Sequence, residues 1–212
     1  MTCCLRPDVR CAVVRRDLVL LDLSADAYFC LPDAVMSSGP FRQEKLSAPS
    51  RQVLLQAGFL VEGPAAVEAP PHPDLPQPRL DLRDHSGVKP GAGDLVALAL
   101  ALTDLARLGR DPAVERLLTL TRETPGASGD PAPIVRAAAA FSHLLPWLPF
   151  EGACLRRSAL LAAFLRRRGL RARWVFGVRT WPFAAHCWLQ AGDICLNDDV
   201  ERLAAYTPIL AV

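Results

Sequence analysis

A cysteine, a histidine and a carboxylate fall in that order within CLRRSALLAAFLRRRGLRARWVFGVRTWPFAAHCWLQAGDICLNDD, which runs from Cys154 to Asp199. Leu155 to Leu165 is almost wholly apolar or small, and Arg166, Arg167, Arg168 and Gly169 close the run. This reads as a largely buried helix. Cations suit the negative C-terminal end of its dipole, and glycine suits the left-handed residue just beyond. Cys154 therefore stands in the first turn. Free N–H groups and the positive dipole end there favour thiolate over thiol, which makes a cysteine nucleophilic near neutral pH. Alone, a small cysteine at a helix start is an ordinary core residue.

The elements that follow change that reading. Ala172, Trp174, Phe176 and Val178 alternate with Arg173, Val175, Gly177 and Arg179, the period of a strand, until Trp181 and Pro182 break it. A second strand, 186–190, turns at Ala191, Gly192 and Asp193 into a third, 194–196. Such a hairpin sets His186 beside Asn197, Asp198 and Asp199. In this arrangement His186 is the base for Cys154 and later protonates the leaving amine, while Asp198 fixes the imidazole tautomer. Asp199 is the rival for the third role, and Asp193 is a turn residue.

The order cysteine, histidine, aspartate on helix, strand, strand resembles the transglutaminase-like branch of papain-type enzymes. The phrases CLRRSALLAAFLRRRGL, WVFGVRTWPFAAHCWL and LNDD resemble the lasso-peptide biosynthesis B proteins, leader peptidases of a ribosomally made peptide pathway. The likeness is dense from Cys154 to Asp199 and extends weakly through YTPIL at 206–210. It implies Cys154 as nucleophile, His186 as base and Asp198 as orienter. Cys187 departs from the pattern, standing where the family more often has alanine; an effect on packing rather than chemistry is expected.

Composition bounds the rest. The 212 residues suffice for a full domain plus a small one, and 51% hydrophobic content argues against disorder. A net charge of +2, from 24 basic and 22 acidic residues, offers no electrostatic case for nucleic acid. Seven cysteines without paired metal-type spacing read as reduced thiols of a cytoplasmic protein, with no metal site. Neither an export signal nor a membrane span is expected.

Three short apolar runs, 11–14, 18–23 and 27–31, read as an antiparallel meander, followed by a helix over 50–57 capped by Ser50 and stopped by Gly58. Phe59, Leu60 and Val61 close the unit. This segment resembles the winged-helix-like leader-recognition elements of peptide-modifying enzymes. That resemblance implies β-augmentation, with an extended leader pairing along Ala27, Tyr28, Phe29, Cys30 and Leu31 and meeting Leu54 on the helix. Prolines crowd 64–78, an extended linker. Three helices follow, from Asp94 to Gly109, over 113–123 and over 134–145; they are expected to cover the helix bearing Cys154. His72 and His85 read as surface residues, and His143 as a core or surface residue rather than a catalytic one. Pro146, Pro149 and Phe150 form the approach to Cys154, where backbone N–H groups suit an oxyanion hole.

The expected fold is α+β: a winged-helix-like recognition domain over 1–62, a linker over 63–80 and a transglutaminase-like cysteine peptidase domain over 81–212. The expected activity is cleavage of a lasso precursor's leader, freeing the core amine. Family likeness further implies a partner macrolactam cyclase that uses ATP; with no phosphate-binding glycine loop, this chain itself is expected to need no cofactor. Two other readings stay open: a thiol acyltransferase or transglutaminase acting on a peptide, and a leader-binding scaffold with an inert thiol.

Overall fold

The computed structural model describes residues 3–39, 41–62, 75–82, 87–109, 112–122, 130–148 and 154–212. The chain divides into two compact units that do not follow chain order. The first holds Met1–Asp74, Gly177–Ala185 and Tyr206–Leu210; the second holds Leu75–Phe176, His186–Ala205 and Ala211–Val212.

In the first unit, strands β1 (Cys3–Leu5), β2 (Val9–Val14), β3 (Asp17–Asp22) and β4 (Ala27–Leu31) precede helix α1 (Ala48–Gln56) and strand β5 (Leu60–Glu62). The expected meander is present: β2, β3 and β4 form an antiparallel sheet in that order, with Val13 opposite Leu18 and Leu20 opposite Phe29. β1 pairs antiparallel with β5 in a separate two-stranded sheet. Leu5, Val9, Leu18, Leu20, Leu54 and Leu60 meet in the core. Each such side chain contributes roughly 1.5–3 kcal/mol by leaving water.

The helix start differs from expectation. Ser47, not Ser50, is the cap: its Oγ accepts the Ser50 N–H at 3.3 Å, and Ser50 is buried inside the first turn. Pro49 suits this start, because proline is tolerated in a first turn that lacks internal N–H partners anyway. The stop is as expected, with Gly58 at φ +72° and the Phe59 N–H returning to the Leu54 carbonyl at 2.9 Å.

β3 is buried along its whole length, Asp17 and Asp22 included. A buried carboxylate needs partners. Asp17 accepts the Asp33 N–H at 3.0 Å and the Trp181 indole N–H at 2.8 Å. Asp22 accepts from Ser24, Ala25 and Arg6. The Phe183 ring also lies 5.9 Å from that of Tyr28, so the turn expected only to interrupt two strands packs within this unit.

In the second unit, helices α2 (Ala92–Leu108), α3 (Val114–Arg122) and α4 (Ala132–Leu144) surround α5 (Cys154–Arg167). Ser158 to Leu165 is buried all round, which is why that stretch is free of charge. The arginines that end α5 are paired as well as dipole-matched. Arg166 and Arg167 both bond the buried Asp104 of α2, at 2.9 and 2.8 Å, and Arg168 lies 3.1 Å from Asp94.

Strands β6 (Arg173–Arg179), β7 (Ala184–Ala191), β8 (Ile194–Cys195) and β9 (Thr207–Ala211) form one sheet ordered β8-β7-β6-β9, with the short helix α6 (Val200–Leu203) between β8 and β9. Trp174 to Val178 is buried on both faces instead of alternating. Gly192, at φ +60°, makes the β7–β8 turn. The end of the proline-rich stretch is docked rather than free. The Arg79 N–H bonds the Asp193 carbonyl at 2.7 Å, and the Cys195 N–H bonds that of Leu80 at 2.8 Å. The β8 edge has backbone groups to satisfy, and this segment satisfies them. Among the described residues, no helix is long and apolar enough to cross a membrane.

Candidate active site

Cys154 opens α5 and is half-buried; His186 is buried on β7; Asp198 follows β8. The structure brings the three together. His186 Nε2 bonds Asp198 Oδ2, and the imidazole and the Cys154 sulfur each favour the charged form of the other. The other Asp198 oxygen accepts the Asp199 N–H at 2.8 Å. Of the two rival aspartates, Asp198 holds the histidine, while Asp199 precedes α6 as its cap residue.

The electrostatics follow from these bonds. The Cys154 thiol is pushed down to about 4, first by a hydrogen bond from the Cys187 thiol and then by His186, against the effect of burial. His186 is pushed up to about 9, first by Asp198 and then by Cys154. Burial alone would raise Asp198, but the bonds from His186 and the Asp199 N–H hold it below the usual carboxylate range. Both shifts favour a thiolate beside an imidazolium over the neutral pair. Cys187 is driven up by its bond to Cys154 and by burial, so it stays a thiol and a donor.

Three supports were not foreseen. Ser158, one turn beyond Cys154, donates to the Cys187 carbonyl at 3.2 Å and accepts from Asn197 Nδ2 at 2.8 Å. Its i, i+4 relation to the cysteine was a signal available in the sequence. The Trp188 ring stacks at 6.4 Å from that of His186, and its N–H donates to Gln190, whose amide is satisfied by the carbonyls of Pro76 and Gly192. Cys187 was expected to touch only packing. Strand alternation points it away from His186, yet its thiol also favours the charged form of Cys154.

A cavity of about 270 Å³ lies beside Asp198, with Phe141 of α4, Leu145 just after it, Arg157 of α5, Asp81 and Asp199 in its wall. His143 is exposed on α4. His72, His85, Pro149 and Phe150 lie outside the described residues; Pro146 sits in a 3-10 turn, Leu145–Trp147, after α4.

Of the strand residues expected to meet a leader, Phe29 and Cys30 are exposed and Ala27, Tyr28 and Leu31 half-buried. Leu54 is only 2% exposed and belongs to the core; Val53 and Leu55 carry the exposed face of α1 instead.

Residues 96–211 match the Transglutaminase-like superfamily. The chain belongs to this superfamily. The match begins in α2 and spans α5 and the whole β8-β7-β6-β9 sheet, so it contains Cys154, His186 and Asp198. The chain is also similar to the Microcin J25-processing protein McjB of Escherichia coli, with 41% identity over 49 residues. That stretch covers 23% of this chain and 24% of McjB. No solved structure matches.

Proposed function

We propose that the chain is a cysteine peptidase that removes the leader from a ribosomally made lasso precursor peptide. The observation that carries this reading is a half-buried cysteine in the first turn of α5 together with a buried imidazole whose Nε2 is held by Asp198, each group favouring the charged form of the other. The thiolate attacks the scissile carbonyl, forming a carbon–sulfur bond. The imidazolium gives its proton to the departing nitrogen, and the core peptide leaves with a free amine. His186 then takes a proton from water, which cleaves the thioester and releases the leader. Each step uses only the thiol, the imidazole and water. Asp198 does not take up the proton; it keeps the ring oriented and stabilises its charged form.

The substrate class rests on the similarity to a protein that processes microcin J25, together with the superfamily's thiol chemistry. Among the described residues β4 pairs with β3 alone, so its outer edge offers backbone groups to an extended peptide. In this reading the first unit is a winged-helix-like recognition element. The leader adds as a strand along Ala27 to Leu31, with Phe29 exposed beside it. The released amine then goes to an ATP-dependent macrolactam cyclase, and the whole sequence takes place in the cytoplasm.

Incubation of a lasso precursor with the purified chain, with and without the cyclase, tests this by mass spectrometry. One cut at the leader–core junction, absent in Cys154→Ala, is the expected outcome. A leader mass increased by an added amine in place of water would make the protein an acyltransferase. Leader binding with an intact precursor in every sample would make it a scaffold.

A further inference from the structure

We propose that Ser158 and Asn197 are positioning residues that hold the three reacting groups in register. Each bond of their network sits next to one of those groups. Ser158 is on α5, one turn after Cys154; the carbonyl it bonds belongs to Cys187, the residue after His186; Asn197 precedes Asp198.

The chain of bonds is continuous. The Leu189 N–H donates to Asn197 Oδ1 at 2.8 Å, Asn197 Nδ2 donates to Ser158 Oγ at 2.8 Å, and Ser158 Oγ–H donates to the Cys187 carbonyl at 3.2 Å. Ser158 is wholly buried. Its single proton goes to β7 and its lone pair to the Asp198 loop, so one hydroxyl ties helix, strand and loop together. Asn197 is likewise engaged from both ends of its amide, which fixes which end is oxygen. The Leu196 N–H bonds the Leu189 carbonyl at 2.9 Å, so backbone pairing continues past β8 up to Asn197.

The geometry has a chemical consequence. Asn197 Nδ2 and Ser158 Oγ link the loop to the helix through side chains, and a thiolate–imidazolium pair depends steeply on separation. Without the hydroxyl, α5 and the Asp198 loop are free to shift against β7. Sulfur, ring and carboxylate then lose register together while the apolar core persists.

The inference rests on the thiol reading of the site, but its test does not require a peptide substrate. In Ser158→Ala and Asn197→Ala, the rate at which iodoacetamide alkylates Cys154 is followed against pH by mass spectrometry of the labelled peptide, beside circular dichroism and thermal melting. Both folded variants are expected to alkylate about five-fold more slowly near pH 4, with the acid inflection moved upward by about one unit. Precursor cleavage should show kcat lowered about ten- to a hundred-fold with KM within about two-fold. Ser158→Thr, which keeps the hydroxyl, should restore much of the alkylation profile. The double variant should be little worse than either single one, because both break the same link. Wild-type alkylation profiles and kcat in both folded single variants would overturn the proposal. Should Ser158→Ala not fold, the half-exposed Asn197 removes the same bond from the other side. Failure of the wild type to cut any precursor would count against the peptidase reading alone, since the alkylation profile reports on the site without a peptide.

Discussion

Cys187 follows His186 on β7, and both residues favour the charged form of the Cys154 sulfur. The Cys187 thiol is the larger cause of the lowered Cys154 value. Removing that group in Cys187→Ala is expected to raise the Cys154 value by about one unit and so to slow its alkylation at pH 4 about five-fold. Cys187→Ser keeps a donor and should lie between the two. A Cys187→Ala profile that overlays the wild type would show that His186 alone sets the thiolate.

The pH dependence of kcat/KM has a predictable sign at each limb. Cys154 is depressed from 9.0 to about 4 and His186 raised from 6.5 to about 9, so the charged pair persists between those two values. Activity should fall below the first as the sulfur gains its proton, and above the second as the imidazolium loses the one it must donate. For His186 the extra stabilisation of the charged form is complete below pH 6.5 and is lost as pH rises through 9. A profile that rises monotonically through pH 8, as for an ordinary thiol, would contradict the pre-formed pair.

Asp198 and Asp199 are neighbours with different tasks, and substitution separates them. Asp198→Asn keeps the shape but can neither stabilise the imidazolium nor hold the correct tautomer. A loss of about 10²- to 10⁴-fold in kcat is expected. Asp199→Asn retains the backbone N–H that bonds Asp198 Oδ1 and should cost far less. Steady-state assays on the two variants check this, and equal losses would mean that the carboxylates share the role.

The reach of the sequence depended on how local each signal was. Cys154, His186 and Asp198 could be named because Gly169, Pro182 and Gly192 punctuate the chain between them and make the helix and hairpin readable. The β2-β3-β4 meander was readable for the same reason. What stayed hidden was pairing between distant residues. β1 is too short to show a period, and its partner β5 follows only after α1. The docking of Arg79 and Leu80 at the β8 edge is made by backbone groups, which carry no sequence signature. Trp181 looked like a strand breaker until its indole met Asp17. Ser50 looked like a cap because serine favours that position, but Ser47 stands one residue before the helix that Pro49 helps to start.

Asp104 is the most consequential of these hidden partners. Its carboxylate is 8% exposed and is shared by Arg166 and Arg167, whose bonds hold it below the usual carboxylate range despite burial. Asp104→Ala leaves two guanidinium groups facing a site without a counter-charge, and losing one member of a buried pair costs about 3–5 kcal/mol. The arginines are 24% and 32% exposed and can turn partly to water, which reduces the expected loss to about 2 kcal/mol. Thermal melting should then show a Tm lower by about 5 °C. The fraction that remains folded should keep its Cys154 alkylation rate, because Asp104 pairs with the far end of α5. A melt within about 1 °C of wild type would mean that the arginines find water at no net cost, leaving helix packing alone to hold α2 against α5.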